Sequence, residues 1–138
     1  MVLIFKRGQD FLEELKKILK AEEIGGRLPV GRQGFFYGLG ALNNAELAFY
    51  DLENKRYLNQ KFEDGPYEVL SLSGNVAEKE GDLAVHCHVV LGKKDFSTFG
   101  GHLVNAEVGG TLELFFEPFS GLKRKLDKAT GLYLCEKS

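Results

Sequence analysis

The three histidines of the chain, His86, His88 and His102, are the residues whose types and spacing point most directly to chemistry. His86 and His88 lie two residues apart in LAVHCHVVL, a run with the apolar and β-branched composition of a strand. Because side chains alternate along a strand, both imidazoles should project from one face and Cys87 from the other. His102 follows after a connection short enough for a hairpin, which would bring a third imidazole to the pair.

Three imidazoles make the ligand set of an open metal site. They leave the fourth tetrahedral position of a zinc ion to water or to a ligand, whereas structural zinc sites close with four protein ligands and favour thiolates. Nickel, copper and iron also accept imidazole, so the pattern predicts a divalent-metal site with zinc as the first choice. The alternative is three separate histidines packed in or on a sheet, and their grouping in one short segment favours the metal site.

The residues around the histidines suggest supporting roles. Gly100 and Gly101 lack side chains and would let backbone or a small ligand approach the ion. Cys87 is predicted to be a buried structural cysteine, not a ligand or an activated thiolate. Three acidic residues are candidates for hydrogen bonds to the ligands, with solvated surface positions as the alternative: Glu68, Asp82 and Glu107.

A short strand and a helix precede the histidine segments. The run from Val2 to Arg7 predicts a strand, and Asp10 stands three residues before Glu13 as in a capping box, which predicts the start of a helix. Glycines at 25 and 26 predict its end. The apolar residues that follow Phe11 fall on one helical stripe and should face the core: Leu12, Leu15, Ile18 and Leu19.

From Phe35 onward the chain is predicted to be almost all strand, with short connections that favour antiparallel pairing. The predicted turns are 43–44, 64–66, 79–81, 92–94 and 109–110, and residues 132–135 suit a last edge strand. The fold class is therefore α+β, a mostly antiparallel sheet with one main N-terminal helix packed on it. Residues 1–138 are predicted to form a single domain, with 26–34 as an inserted surface loop.

Composition limits the partners. Eighteen Lys and Arg against 20 Asp and Glu give a net charge of -2, so the chain has no global positive field for nucleic acid. Two cysteines are too few for a disulfide framework, and the N-terminal residues do not have the pattern of a signal peptide. No apolar run is long enough for a membrane helix. A reducing cytoplasm is therefore expected. The basic residues are predicted in three loops, where symmetric copies could form a ring of positive charge: Arg27, Arg32, Lys93, Lys94, Lys123, Arg124, Lys125 and Lys128.

Other catalytic patterns are weaker. Ser71 and Ser73 lie outside any GxSxG nucleophile elbow, which makes a hydrolase triad improbable. The glycines of 26–34 match neither the Walker pattern nor the dinucleotide fingerprint.

Several segments resemble the plant and prokaryote conserved (PPC) domain family. YEVLSLSGNVA, HCHVVLG and FGGHLV occur in the family's order and spacing, and DFLEEL and GLGALNNAELAFYD are similar to it as well, so the resemblance covers nearly the whole chain. It implies an α+β homotrimer in which histidines matching His86, His88 and His102 bind a metal. Plant members carry AT hooks and bind DNA, but this chain lacks the Arg-Gly-Arg-Pro core, and the loop at 26–34 departs from the family's short connection.

Three functions follow as hypotheses. The favoured one is a trimeric metal-binding module that takes a small-molecule ligand or a protein partner and has no membrane partner. The second is a DNA-associated protein, by analogy with the plant members. The third is a metal-dependent hydrolase or lyase in which the open coordination position activates water. Whether the chain is an enzyme stays open on the sequence.

Overall fold

A computed structural model describes residues 1–21 and 33–137 of the chain. Within these residues one helix and eight strands follow one another along the sequence: β1 (Val2–Lys6), α1 (Phe11–Lys20), β2 (Gly34–Asp51), β3 (Arg56–Phe62), β4 (Tyr67–Lys79), β5 (Asp82–Gly92), β6 (Thr98–Pro118), β7 (Leu122–Leu126) and β8 (Tyr133–Lys137). The predicted α+β class, with strand predominating, is confirmed.

Helix α1 begins where the capping pattern predicts. The backbone N–H of Glu13 donates to Asp10 Oδ1 at 3.0 Å, which satisfies one of the free N–H groups of the first turn. Three of the four predicted stripe residues are buried, but Ile18 is 42% exposed. That stripe packs on the sheet beside β5 and β6.

The end of α1 differs from the prediction. The helix stops at Lys20, five residues before Gly25, and Ala21 already has an extended backbone with a ψ of 125°. The sequence offers a reason for the early end, because the next positions at helical spacing after Leu19 are Glu22 and Glu23, whose charged side chains do not continue the apolar stripe.

The eight strands form one mixed sheet in the order β3-β2-β6-β5-β4-β7-β8, with β1 paired to β6. Every pairing between named strands is antiparallel except that of β4 with β7. Strand β2 also pairs with β4 from Gly34 to Leu42, so β2, β6, β5 and β4 close into a ring. This closure gives the sheet an inner face, which holds the core, and an outer face.

The core fills the inside of the ring and the space under α1. The ring of Phe11 from the helix meets Phe5 and Phe36 edge-on, with centroids 5.3 and 6.5 Å apart. Phe11 and Phe36 are fully buried, as are Leu91, Leu112 and Leu114 from β5 and β6. Side chains on alternate positions of β5 and β6 therefore point away from this core, to the outer face.

Two of the five predicted turns are wrong. Asn43–Asn44 lies inside β2 and Gly109–Gly110 inside β6, since both strands continue through these positions. Asn44 has a φ of 45°, and the pairing of β2 with β6 shifts register between Asn43 and Glu46. An irregular position in a long, bent strand needs the same residue types as a turn, which is why the sequence signal is ambiguous. The turns at 64–66, 79–81 and 92–94 connect strands as predicted.

The C-terminal prediction is half correct. Residues 133–137 form the expected last strand, β8. The basic stretch at 123–125, predicted as loop, is instead strand β7, because it pairs with β8 and, in parallel, with β4. Of the predicted surface loop at 26–34, residues 26–32 lie outside the described residues and Gly34 begins β2. The one helix of the described residues, α1, is not long and apolar enough to cross a membrane.

Candidate metal centre

The outer face of the sheet carries all three histidines at one place. His86 and His88 stand on β5, and His102 stands on β6 directly opposite His88. Cys87, between the first two, is 1% exposed and belongs to the core, so the predicted alternation across β5 is confirmed. The hairpin of β5 and β6 thus brings together the three imidazoles that the sequence singled out.

The imidazoles lie close enough to share one ion. The Nε2 atoms of His86 and His88 are 3.1 Å apart, and one nitrogen from each of the three residues lies within 4.8 Å of the others. Ligand nitrogens at ordinary zinc distances in a tetrahedral site are about 3.3 Å apart. The first pair therefore fits as it stands, while the third nitrogen must move inward by about 1 to 1.5 Å, a movement within the reach of a side-chain rotation.

The surroundings favour the neutral form of two of the imidazoles, those of His86 and His102. Burial, reinforced by the positive charge of Arg124, lowers the pKa of His86 to about 4. The pKa of His102 is lowered as well, mainly by burial and then by His88. Since only a neutral imidazole offers a lone pair to a metal, these two side chains are ready to act as ligands near pH 7 without first losing a proton.

The histidines face a pocket of about 810 Å³ on the outer face. Its walls are largely apolar and aromatic, and the residues that line it include Phe49, Tyr50, Tyr57, Val90, Leu132 and Leu134. The polar lining consists of Ser71, Ser73, Lys79 and Arg124 beside the histidines. The ring of Tyr57 lies 5.4 Å from that of His102, centroid to centroid.

Among the described residues that line the pocket there is no carboxylate. Asp82 forms an ion pair with Lys20 at 2.9 Å, Glu68 lies opposite Gly92, and neither is part of the lining. Glu107 pairs with Asn43 at a distant part of β6. The structure thus brings none of the three acidic candidates to the histidines: Glu68 and Asp82 are exposed, as the solvated alternative predicts, and Glu107 is half-buried.

The packing of neighbouring strands explains why the two residues before His102 are glycines. A Cβ on Gly100 would lie 2.5 Å from the carbonyl oxygen of Val89, and one on Gly101 would lie 3.1 Å from that of Ala48. Both oxygens belong to the backbones of the neighbouring strands, β5 and β2. The glycines therefore let β6 fit between these strands, which holds His102 beside His88.

Arg124 is a site residue that sequence reasoning missed. It stands on β7, where its Nη2 donates to Asn75 Oδ1 at 2.7 Å and its Nη1 donates to the carbonyl of Tyr133 at 3.1 Å. Asn75 is the residue directly opposite His86 in the pairing of β4 with β5. No local signal could have found this contact, because it depends on the pairing of β7 with a strand more than forty residues earlier in the chain.

A second hydrogen bond, in addition to those of Arg124, holds the hairpin of β7 and β8 beside the pocket. The hydroxyl of Tyr50 donates to the carbonyl of Thr130 at 2.6 Å, which ties the connection between β7 and β8 to the end of β2. The C-terminal hairpin thereby forms one wall of the pocket and carries Arg124, Leu132 and Leu134 into its lining.

Comparison with known proteins points to one family. The sequence profile of the Plants and Prokaryotes Conserved (PCC) domain matches residues 1–120. A metal-containing protein from Archaeoglobus fulgidus has 33% identity and a TM-score of 0.85, over 99% of this chain and 92% of that one. A plant- and prokaryote-conserved (PPC) protein from Pyrococcus horikoshii has 32% identity and a TM-score of 0.85, over 100% and 91%.

A more distant structure is similar in fold alone. It is a candidate DNA-binding protein from Ralstonia eutropha JMP134, with 23% identity and a TM-score of 0.84 over 99% of this chain and 90% of that one. No curated protein matches the sequence.

Proposed function

Because the chain belongs to the plants and prokaryotes conserved domain family, we propose that it is a metal-binding protein in which His86, His88 and His102 hold one divalent ion. Zinc is the first choice for three imidazole nitrogens. The observation that carries this proposal is the convergence of the three imidazoles, with their nitrogens within 4.8 Å of one another. The similar protein from Archaeoglobus fulgidus, named as metal-containing, adds support.

The chemistry of the site suits a resident ion with an open position. When bound, the ion would act as a Lewis acid toward a ligand that enters from the pocket. The protein supplies the imidazoles from a paired hairpin, whose backbone hydrogen bonds fix His88 and His102 side by side. Cys87 takes no part, because it faces the core on the other side of β5.

Metal analysis tests this proposal. Untagged protein should contain about one equivalent of zinc or another divalent ion per chain, and a His86→Ala, His88→Ala variant should contain almost none. Glu68→Gln is the matched control, since this side chain is exposed and outside the pocket, and it should keep the wild-type metal content. Negligible metal in the wild-type protein, even after it is dialysed against zinc, would refute the proposal.

The proposal includes a homotrimer, the assembly that family membership favours. Support comes from apolar side chains on the outer face of β1 and β2, which are about half exposed: Val2, Ile4, Phe35, Tyr37 and Leu39. The ring of Tyr37 stacks on that of Phe115 at 5.2 Å, so these side chains adjoin across the sheet. Contiguous exposed apolar surface is typical of subunit interfaces. Light scattering should give three times the chain's 15.4 kDa, and a monomer at micromolar concentration would contradict this part of the proposal.

DNA binding has weaker support. Of the basic residues predicted to form a patch, Lys123 pairs with Glu78 at 3.3 Å and Lys125 with Glu136 at 2.7 Å, so much of their charge is compensated. Arg124 is held at the histidine pocket by Asn75. A metal-dependent hydrolase or lyase also lacks a specific observation in its favour, since no carboxylate from the described residues lines the pocket to act as a general base.

A further inference from the structure

The three neighbouring cations on β7 differ in whether a carboxylate compensates their charge. Lys123 and Lys125 each have a carboxylate partner within 3.3 Å. Arg124, between them, has no carboxylate partner among the described residues, and both of its hydrogen bonds go to neutral oxygens. Its Nε is buried and has no partner within the same part of the chain. The sequence of β7 thus leaves its one pocket-facing cation without a counter-charge.

The neutral partners also fix the guanidinium in place. A guanidinium has five N–H groups, and Asn75 and the carbonyl of Tyr133 accept from two of them. Arg124 stays charged at any physiological pH, and it presents its planar fork in the wall of the pocket. A guanidinium held in this way recognises a planar anion at little further cost in side-chain entropy.

The other charged side chain that lines the pocket is also positive. Lys79 also lines it, with Nζ 3.7 Å from the centre of the Tyr133 ring. The described lining contains no Asp or Glu to compensate either cation. Partly buried charges without an opposite partner are costly, so a pocket of this kind favours an anion from outside the chain. A divalent ion on three neutral imidazoles would increase this demand, and the inference to this extent rests on the proposed function.

The walls show what the rest of the ligand is like. Beyond the histidines and the two cations, the pocket is walled by Phe49, Tyr57, Val90, Leu132 and Leu134. Its volume of about 810 Å³ is far larger than an inorganic anion needs and lies in the range of pockets for small organic ligands. A free phosphate or sulfate would leave these apolar walls in contact with water.

We infer that the pocket binds a small organic carboxylate, with the carboxylate held by Arg124 on the histidine side and an apolar body against the aromatic and aliphatic walls. The carboxylate is planar and matches the guanidinium fork, and its oxygens are also suitable ligands for the open position of a divalent ion. The C-terminal hairpin, which supplies Arg124, Leu132 and Leu134, is therefore the part of the chain that recognises the ligand.

Calorimetric titration tests the inference with defined probes. Wild-type protein is titrated with hexanoate and phenylacetate, with the matched neutral amides hexanamide and phenylacetamide, and with inorganic phosphate. The carboxylates should bind, and the amides should bind roughly tenfold more weakly or not at all, since they lack the charge that Arg124 recognises. Amides that bind as well as the carboxylates, or binding of phosphate alone, would overturn the inference.

Substitutions on β7 identify the residue responsible. Arg124→Gln should weaken carboxylate binding roughly tenfold or more, while Arg124→Lys, which keeps the charge, should recover part of it. Lys125→Gln is the matched control, because Lys125 is the next residue, pairs with Glu136 and is outside the pocket lining, and it should bind like the wild type. Equal affinities in the wild type and both Arg124 variants would overturn the inference.

The metal content of the same samples separates this inference from the proposed function. Arg124→Gln should keep the wild-type zinc content, since Arg124 is not one of the proposed ligands. Carboxylate binding that depends on Arg124 in protein without metal would support the inference while the metal proposal fails. Zinc-loaded protein that binds none of the carboxylates would overturn the inference while the metal proposal stands.

Discussion

Replacing Gly100 by alanine should destabilise the fold through the two strands that carry the histidines. The new Cβ would lie 2.5 Å from the carbonyl oxygen of Val89, whereas ordinary contacts begin near 3.4 Å. A backbone oxygen within a paired strand cannot rotate away as a side chain does. The pair β5 and β6 must therefore separate by about 0.9 Å at this point, which is enough to break a hydrogen bond of normal length.

The expected size follows from this displacement. Overpacking of this kind costs about 1 to 3 kcal/mol, and the loss of a strand hydrogen bond lies within the same range. Taking about 2 kcal/mol, and an unfolding entropy of about 2.1 cal/mol/K per residue for a domain of this length, the unfolding midpoint should fall by about 7 °C. The loss appears as a lower free energy of unfolding, without a change of fold.

Thermal unfolding followed by circular dichroism measures this effect. Gly110→Ala is the matched control, because Gly110 is also an exposed glycine of β6, and the nearest atom to its added Cβ is the Cβ of Ala41 at 3.9 Å. The control should change stability by no more than about 0.5 kcal/mol. Both variants are compared at equal protein concentration, since any association shifts the midpoint. Equal midpoints for the two variants would show that the close approach of β5 and β6 at Gly100 does not determine the stability of the pair.

Two further predictions concern titratable groups that are not among the proposed metal ligands. Burial raises the pKa of the Cys87 thiol to about 12, whereas Cys135 is exposed. Native protein at about pH 8 should therefore react with one equivalent of a disulfide reagent per chain. Cys135→Ser should abolish this reaction, and two equivalents without denaturant would contradict the burial of Cys87. Burial, aided by a hydrogen bond to Asp64, raises the pKa of Tyr67 to about 12 from 10.0. The folded state thus holds this proton more tightly than the unfolded chain, so stability should fall as pH rises from about 10 toward 12, and Tyr67→Phe should lessen that fall in urea titrations. An equal fall in the variant would assign the alkaline loss to other groups.

The grouping of the histidines was predictable because it depends on local rules. The alternation of side chains along β5 places His86 and His88 on one face, and a short hairpin brings His102 opposite His88. The same rule places Cys87 in the core. Each of these steps uses residues within about 17 positions of one another, where periodicity in the sequence corresponds directly to geometry.

The rest of the fold depends on information that local patterns do not contain. Asn43–Asn44 and Gly109–Gly110 carry turn residues, yet both lie within long strands, since irregular strand positions and turns need the same backbone freedom. The sheet's closure through β2 and β4 and the parallel pairing of β4 with β7 join distant segments. For the same reason Arg124, which the sequence places among solvated basic residues, reaches the histidine pocket only in the folded structure.

The three histidines and Arg124 therefore come from different parts of the chain. The histidines lie in β5 and β6, inside the 1–120 segment that matches the family profile, and Arg124 lies in the β7–β8 hairpin beyond it. The proposed metal site needs only the hairpin geometry of β5 and β6. The positive charge beside it depends on Arg124, the residue of the β7–β8 hairpin that lies against Asn75. A variant with the same three histidines and a neutral residue at that place is therefore predicted to keep the proposed ion and to lose the proposed preference for a carboxylate. Substitution at Arg124 thus separates the two proposals, because it alters the proposed ligand contact and leaves the three histidines in place.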